Sequence, residues 1–221
     1  MSGIVYEDIG GNPAVQDKDG LLITTDACLL AGSVRKNGKQ RVCELGAGSG
    51  VVSAMILSSG KAACCVCVDF QKDLCELARK NAEPFQGRMS VVCSDVLDYR
   101  PDTVFDAVVC NPPYFKSGGK RSEKEKDALS RHESTATVFD FAACASRVLR
   151  DGGIAYFCFT PQRLAELIRA CAENRLEPKT LTNVHPSKDH EACLVLLSAK
   201  KNAAPGMTVT RPLIIGEKRP E

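Results

Sequence analysis

Residues 41–44 form a short apolar strand that opens onto Gly46-Ala47-Gly48-Ser49-Gly50, and residues 51–59 then read as a helix closed by Gly60. A strand feeding a glycine turn and a helix commits the chain to a crossover, and crossovers join parallel strands. The same alternation continues down the sequence. Residues 62–69 are a continuous apolar run, the pattern of a strand buried on both faces. Residues 71–81 are helical, with Leu74, Leu77 and Ala78 on one face. Met89–Cys93 and Phe105–Cys110 give two further strands, 136–150 a helix stopped at Asp151-Gly152-Gly153, and 154–160 a fifth strand. Pro161 fits the first turn of a helix ending near Asn174. Between the last two strands, 179–184 and 192–199, only residues 186–191 intervene, so those strands pair as a hairpin and one of them is antiparallel. The expected fold is α/β: a mostly parallel seven-stranded sheet with an antiparallel C-terminal hairpin and helices on both faces.

Ahead of the sheet, residues 14–16 and 21–24 flank Asp17-Lys18-Asp19-Gly20, which predicts a small hairpin. Residues 25–31 follow as a short helix with Asp26 in its first turn. The chain thus divides into an N-terminal hairpin and short helix, 1–35, and one compact α/β unit, 36–221. Twelve cysteines are many for 221 residues, but Cys43, Cys64, Cys65, Cys67, Cys93, Cys110, Cys158 and Cys193 all sit in short apolar runs. That is how reduced core residues are distributed, not the loop cysteines of a secreted disulfide scaffold. Cys64 and Cys67 have metal-site spacing without a second pair or a nearby histidine, so no metal is expected. Residues 1–10 carry acids and glycines rather than the apolar core of a signal peptide, and no run of eighteen apolar residues occurs. A cytoplasmic protein with no membrane contact is expected, and nothing points to an obligate protein partner. Lys+Arg and Asp+Glu number 29 and 27, a net charge of +2, which excludes a strongly basic nucleic-acid coat but not a local basic face.

The glycine turn narrows the ligand. Its spacing is G-x-G-x-G, with Val51 where a dinucleotide fingerprint wants its third glycine, and no Gly-Lys-Ser/Thr follows to make a phosphate loop. Glu44 stands just before it, and a carboxylate there repels pyrophosphate but attracts an ammonium or sulfonium. A ligand cationic at one end and a nucleoside at the other fits: S-adenosylmethionine. Asp69, ending the second sheet strand, is placed to accept from both ribose hydroxyls, and Phe70 to lie on the adenine face. Asp95, after the third strand, is placed to accept from the adenine amino group while the Val96 N–H donates to the ring. Each acid alone is more often a turn or cap residue. Three at successive strand ends match where open α/β sheets bind ligands.

Asn111-Pro112-Pro113-Tyr114 follows the fourth strand directly. The plainest reading is a proline-rich turn. The chemistry of the place suggests more. An exocyclic base amine or a side-chain amide is a poor nucleophile because its lone pair is conjugated. Two acceptors, the Asn111 carboxamide oxygen and the Pro112 carbonyl, can draw on its two N–H bonds and pyramidalise it. The prolines hold these acceptors in place, and Tyr114 offers a stacking face. The methylated nitrogen is acidic, so no strong base is required.

Together the loop from Glu44 through Gly46 and Gly48 to Gly50, Asp69, Asp95 and Asn111 to Tyr114 resemble a Rossmann-like class I S-adenosylmethionine-dependent methyltransferase of the amino-methylating kind. Residues 16–31, Arg131-His132-Glu133 and the ending with Arg211-Pro212-Leu213 resemble the tRNA1(Val) adenine-N6 methyltransferase family. That resemblance runs from about Val15 onward and implies methylation of N6 of the adenosine just 3′ of the anticodon, with tRNA as partner. Carried over by position, Thr25 and Asp26 lie near the methionine end of the cofactor. There is no separate RNA-binding domain, so the substrate's grip falls to the hairpin and to Phe115, Lys116, Lys120, Arg121, Lys124 and Arg131 around the active mouth, a stretch that Glu123, Glu125 and Asp127 interrupt. His132 is expected to be structural or RNA-contacting, and His185 and His190 are unassigned. The same tetrad also serves glutamine-N5 and guanine-N2 ribosomal RNA methyltransferases and adenine-specific DNA methyltransferases. The glutamine and DNA enzymes usually carry an extra domain, for which this chain has no room. A guanine-N2 enzyme stays open, and a catalytically silent scaffold sits badly with an intact tetrad.

Overall fold

The computed structural model describes residues 4–9, 12–17, 24–112 and 136–215. Two N-terminal strands, β1 (Ile4–Ile9) and β2 (Asn12–Asp17), pair antiparallel with Ile9 opposite Asn12. This hairpin is not the expected one. Residues 14–16 belong to β2 and pair with β1. Gly10-Gly11, a dipeptide favoured in two-residue hairpin loops, lies between these strands in sequence, and the second arm of the expected hairpin lies, with residues 18–20 of its turn, largely outside the described residues. Helix α1 (Thr25–Ser33) follows, capped by the Thr24 hydroxyl accepting from the Ala27 N–H.

The main sheet is built from β3 (Arg41–Leu45), β4 (Cys64–Asp69), β5 (Met89–Cys93), β6 (Phe105–Cys110), β7 (Leu149–Phe159), β8 (Leu176–His185) and β9 (Leu194–Lys201). Its order is β8-β9-β7-β6-β3-β4-β5, and β9 alone runs antiparallel, between β7 and β8. The seven strands and the hairpin are those expected. Two short strands, β10 (Thr208–Val209) and β11 (Leu213–Ile214), add parallel to β8 and extend the edge, so the sheet has nine. The extension is hidden in the sequence because Pro212 breaks the segment into pieces of two residues.

Strand alternation sorts the core into two layers. Tyr156 and Leu196 face Leu30, Val52 and Ile56 of α1 and α2 (Val51–Ser58). Phe157 and Leu197, one residue along, face Phe141, Leu149 and Leu167 beneath α4 (Val138–Val148) and α5 (Leu164–Glu173). Helix α3 (Lys72–Ala82) covers β4 and β5 beside α2. Eight cysteines are buried, but Cys93 and Cys193 are exposed despite their apolar neighbours, because each stands at or just outside a strand end. Cys64 and Cys67 are three apart on β4 and so point to opposite faces. Among the described residues no helix is long and apolar enough to cross a membrane.

Two expected boundaries move. Helix α4 ends at Val148 and β7 begins at Leu149, so Asp151-Gly152-Gly153 lies within the strand rather than stopping the helix. The β6–β7 register slips there, with Phe105 opposite Leu149 but Ala107 opposite Ile154. Extra residues on one strand make a bulge, and glycine permits it. A Cβ at Gly153 would lie 2.9 Å from the Arg150 carbonyl oxygen and 3.0 Å from that of Asp106. Pro161 opens a 3-10 turn, Pro161–Arg163, ahead of α5 rather than α5 itself.

Gly153→Ala should therefore cost about 2–3 kcal/mol, as backbone atoms cannot step aside as a side chain would. Gly32, in the last turn of α1, has no atom within 4 Å of such a Cβ. Gly32→Ala should leave stability unchanged or raise it by about 0.5 kcal/mol. Urea denaturation of the two variants should show these opposite signs.

Candidate active site

Parallel register aligns the carboxyl ends of four strands. Leu45 pairs with Val68 of β4 and with Cys110 of β6, and Asp69 pairs with Cys93 of β5. The next residues, Gly46, Asp69, Asp95 and Asn111, thus emerge along one edge of the sheet. All four are where the alternation of strands and helices places them.

The glycine turn is held from every side. Gly46, Gly48 and Gly50 have φ of 68°, 55° and 76°, a region costly for other residues. The Gly46 and Ala47 N–H groups donate to the Val68 carbonyl at 2.9 and 3.0 Å. The Gly48 N–H donates to the Asp69 carboxylate at 2.8 Å. The Asn81 amide of α3 donates to the Ser49 carbonyl at 2.9 Å. A Cβ on Gly46 would press on the Phe141 ring at 3.2 Å, and one on Gly50 would meet the Met89 methyl at 2.6 Å. The loop, α4 and β5 therefore approach as closely as glycine alone allows.

Asp69 is buried, and its other oxygen accepts from the Gln71 N–H at 2.9 Å. Burial raises its pKa, against the pull of these backbone donors. Two bonds leave lone pairs on both oxygens for a ribose. Phe70 beside it is half-buried. Asp95 accepts from the Leu97 N–H at 2.9 Å, closing a tight turn, and Val96 is buried. Arg147 of α4 donates to the Val96 carbonyl at 2.8 Å and to that of Tyr99 at 3.2 Å, so this turn too is fixed from outside. Thr25 is exposed and Asp26 half-buried in the first turn of α1. Asn111 is half-buried and Pro112 buried at the end of β6. Pro113, Tyr114, Phe115, Lys120, Arg121 and Arg131, with Lys116, Lys124 and His132, lie outside the described residues.

Glu44 is engaged within the protein. Its carboxylate is buried and accepts from both the N–H and the hydroxyl of Ser53, at 2.9 and 2.6 Å. It ties β3 to the first turns of α2 beneath the glycine turn. Burial pushes its pKa up to about 7, with Asp69 adding a smaller repulsion. Ser53, Asn81 and Arg147 do not stand out in the sequence. Asn81 alone has a visible signal, a polar residue one step beyond the apolar stripe of its helix.

A narrow turn of three glycines before a helix, with a buried carboxylate at the next strand end, suits a nucleoside ligand without pyrophosphate. The known proteins agree. Residues 23–162 match the family described as methyltransferase small domain. A tRNA1(Val) (adenine(37)-N6)-methyltransferase of Parabacteroides distasonis is 30% identical over 196 residues, 86% of this chain and 81% of the relative. One from Aliivibrio salmonicida is 23% identical over 80% of this chain and 76% of its own. Among solved structures, a protein of Agrobacterium tumefaciens described as an O-methyltransferase superposes with a TM-score of 0.70 at 26% identity, covering 89% of this chain and 90% of the other. The chain belongs to the methyltransferase small-domain family, in the branch whose curated members are named tRNA1(Val) (adenine(37)-N6)-methyltransferases. It is an S-adenosylmethionine-dependent methyltransferase.

The raised pKa of Glu44 has a measurable consequence. Below about pH 4.5 the group is protonated folded and unfolded. Between 4.5 and about 7 the folded protein binds more protons, so stability falls as pH rises through that window. Glu44→Gln keeps an acceptor for Ser53 and removes the titration. Its urea-denaturation stability should fall less between pH 4.5 and 7 than the wild type's, by on the order of 3 kcal/mol.

Proposed function

We propose that this enzyme methylates N6 of the adenosine 3′ of the anticodon in a tRNA. The observation that carries the reading is the register placing Asn111 and Pro112, the opening of an Asn-Pro-Pro-Tyr run, level with the glycine turn and Asp69. The names of the relatives from Parabacteroides distasonis and Aliivibrio salmonicida supply the nucleotide and the RNA class.

In this reading the Asp69 oxygens hold the ribose of the cofactor, Phe70 lies on its adenine, and Asp95 with the Val96 N–H reads the adenine edge. Thr25 and Asp26 line the methionine end. Glu44 acts through Ser53, setting the angle at which α2 leaves the glycine turn, and is a positioning residue. The bound cofactor supplies a methyl group on a sulfonium. The Asn111 oxygen and the Pro112 carbonyl each accept one N–H of the target amine, which frees its lone pair to point at the methyl carbon. After transfer the nitrogen is acidic and gives its proton to water. Tyr114 and Phe115 stack on the flipped base, and Lys120, Arg121 and Arg131 meet the backbone phosphates.

Asp69→Ala should weaken S-adenosylmethionine binding at least tenfold by calorimetry, since two hydroxyls lose a charged acceptor. An unchanged affinity would remove Asp69 from the site.

Asn111→Ala should lower methyl transfer on the order of a hundredfold or more while cofactor affinity stays within a few-fold. The assay is tritium transfer to tRNA lacking the modification, with nucleosides mapped after digestion. A wild-type rate in Asn111→Ala would overturn the polarising role. Label found on guanine-N2 or on a glutamine peptide would overturn the substrate while leaving the chemistry standing.

A further inference from the structure

On the α1 face of the sheet, away from the strand ends, β7, β8 and β9 leave a cavity of about 460 Å³ between α1 and the C-terminal strands. Its wall is rich in hydroxyls, including those of Ser33, Tyr156, Thr182, Ser198 and Thr210, with Arg211 at the rim and no acidic side chain. Several hydroxyls face one another across strands: Thr180 with Ser198 at 2.6 Å, and Thr182 with Thr210 at 2.7 Å. In the Thr180–Ser198 pair one proton is shared and the other hydroxyl hydrogen remains to donate, whereas the Thr210 hydroxyl also reaches the Leu181 and Arg211 carbonyls at 3.3 Å and the Ser33 hydroxyl donates to the Leu30 carbonyl at 2.7 Å. The Tyr156 oxygen accepts from the Arg35 N–H at 3.4 Å, which leaves the phenol proton to donate as well. Arg211 is exposed, and among the described residues its guanidinium has no ion-pair partner. The donors left over, from Tyr156 and the Thr180–Ser198 pair, together with an exposed cation and no carboxylate, suit an oxyanion.

Distance from the reacting edge narrows the choice of anion. Tyr156 pairs with Val109, two residues short of Asn111, and β8 lies three strands from β6. At the ordinary rise and strand spacing the cavity is on the order of 15 Å from Asn111. An RNA whose target base sits at Asn111 carries backbone phosphates within that radius.

We infer that this cavity, with Arg211 at its rim, is a second tRNA contact that takes a phosphate of the sugar–phosphate backbone flanking the target nucleotide. It deepens the tRNA reading and rests on it. It also accounts for the Arg211-Pro212-Leu213 run, since Leu213 packs into the core and pairs through β11, which fixes the arginine at the mouth.

The test is the salt dependence of binding to unmodified tRNA. Each phosphate neutralised by a cation adds about one to the slope of log affinity against log salt. Arg211→Gln should lower the magnitude of that slope by about one and weaken tRNA binding about tenfold at low salt. S-adenosylmethionine affinity, kcat and thermal midpoint should stay at wild-type values. Ser33→Asp places a charge at the opposite wall, and should weaken tRNA binding similarly without touching the arginine. An unchanged slope and KM for tRNA in Arg211→Gln, with tRNA still methylated, overturns the cavity contact alone. Wild-type protein that transfers no methyl group to tRNA overturns the underlying reading instead. Inorganic phosphate is the third arm: saturable phosphate binding lost in Arg211→Gln, with the tRNA slope unmoved, makes this a free-anion site and also overturns the proposal.

Discussion

The hydrogen bond from the Gly48 N–H to the Asp69 carboxylate joins the two halves of the site before any ligand arrives. Three glycines in left-handed conformations make a turn that has little shape of its own, because glycine gives up the most freedom on ordering. The turn takes its shape from neighbours: the Val68 carbonyl, the Asp69 carboxylate and the Asn81 amide. Two of these come from the last two residues of β4, so the β3–β4 pairing places both the turn and the acid that faces it. A bond to a carboxylate is among the stronger ones available, and burial at Asp69 makes its loss costlier still. Ordering that is already present in the free protein does not have to be supplied by the cofactor's binding energy.

Glu44 and Asp69 are both buried, and they differ in the groups that they accept from. Glu44 and Asp69 repel each other, and burial pushes Glu44 up to about 7. Asp69, with its backbone donors, is the one suited to stay ionised at the strand end. Glu44, turned onto Ser53, needs only an acceptor oxygen, which the protonated form also has. Two acids that look equivalent along the chain thus differ in surroundings: Glu44 holds the side chain and N–H of Ser53, while Asp69 accepts from the backbone of the glycine turn and of Gln71.

This separation marks the limit of what the sequence shows. Met89–Cys93 and Phe105–Cys110 are legible to the residue, since an apolar run bounded by polar residues has one sensible conformation in an α/β chain. The strand-end residues Gly46, Asp69, Asp95 and Asn111 are legible for the same reason: parallel strands deliver their carboxyl ends to one edge. Glu44 is not, because its partner Ser53 lies nine residues away on a helix whose rotation is set by packing. The β1–β2 pairing goes unanticipated when Gly10-Gly11 is passed over as a turn. The start of β7 is misread because Gly152 and Gly153 signal a bulge and a helix stop equally well. Exposure of Cys93 and Cys193 depends on where neighbouring elements end, which local composition does not record.

Net charge sets the last constraint. With 29 basic and 27 acidic side chains the whole molecule attracts a polyanion only weakly, so any grip on RNA must come from local arrangement. Acids on the surface are therefore as informative as bases. Arg150 is paired with Asp106, Arg163 with Glu166 and Arg169 with Glu173, so each of these cations already has a carboxylate beside it. Arg147 is engaged by the carbonyls of the turn after β5. Arg211, between the two short edge strands β10 and β11 and beside a wall of hydroxyls, is in none of these pairs. A surface whose charges nearly balance can distinguish a folded RNA from bulk polyanion, because its cations must be matched in position and not merely in sign.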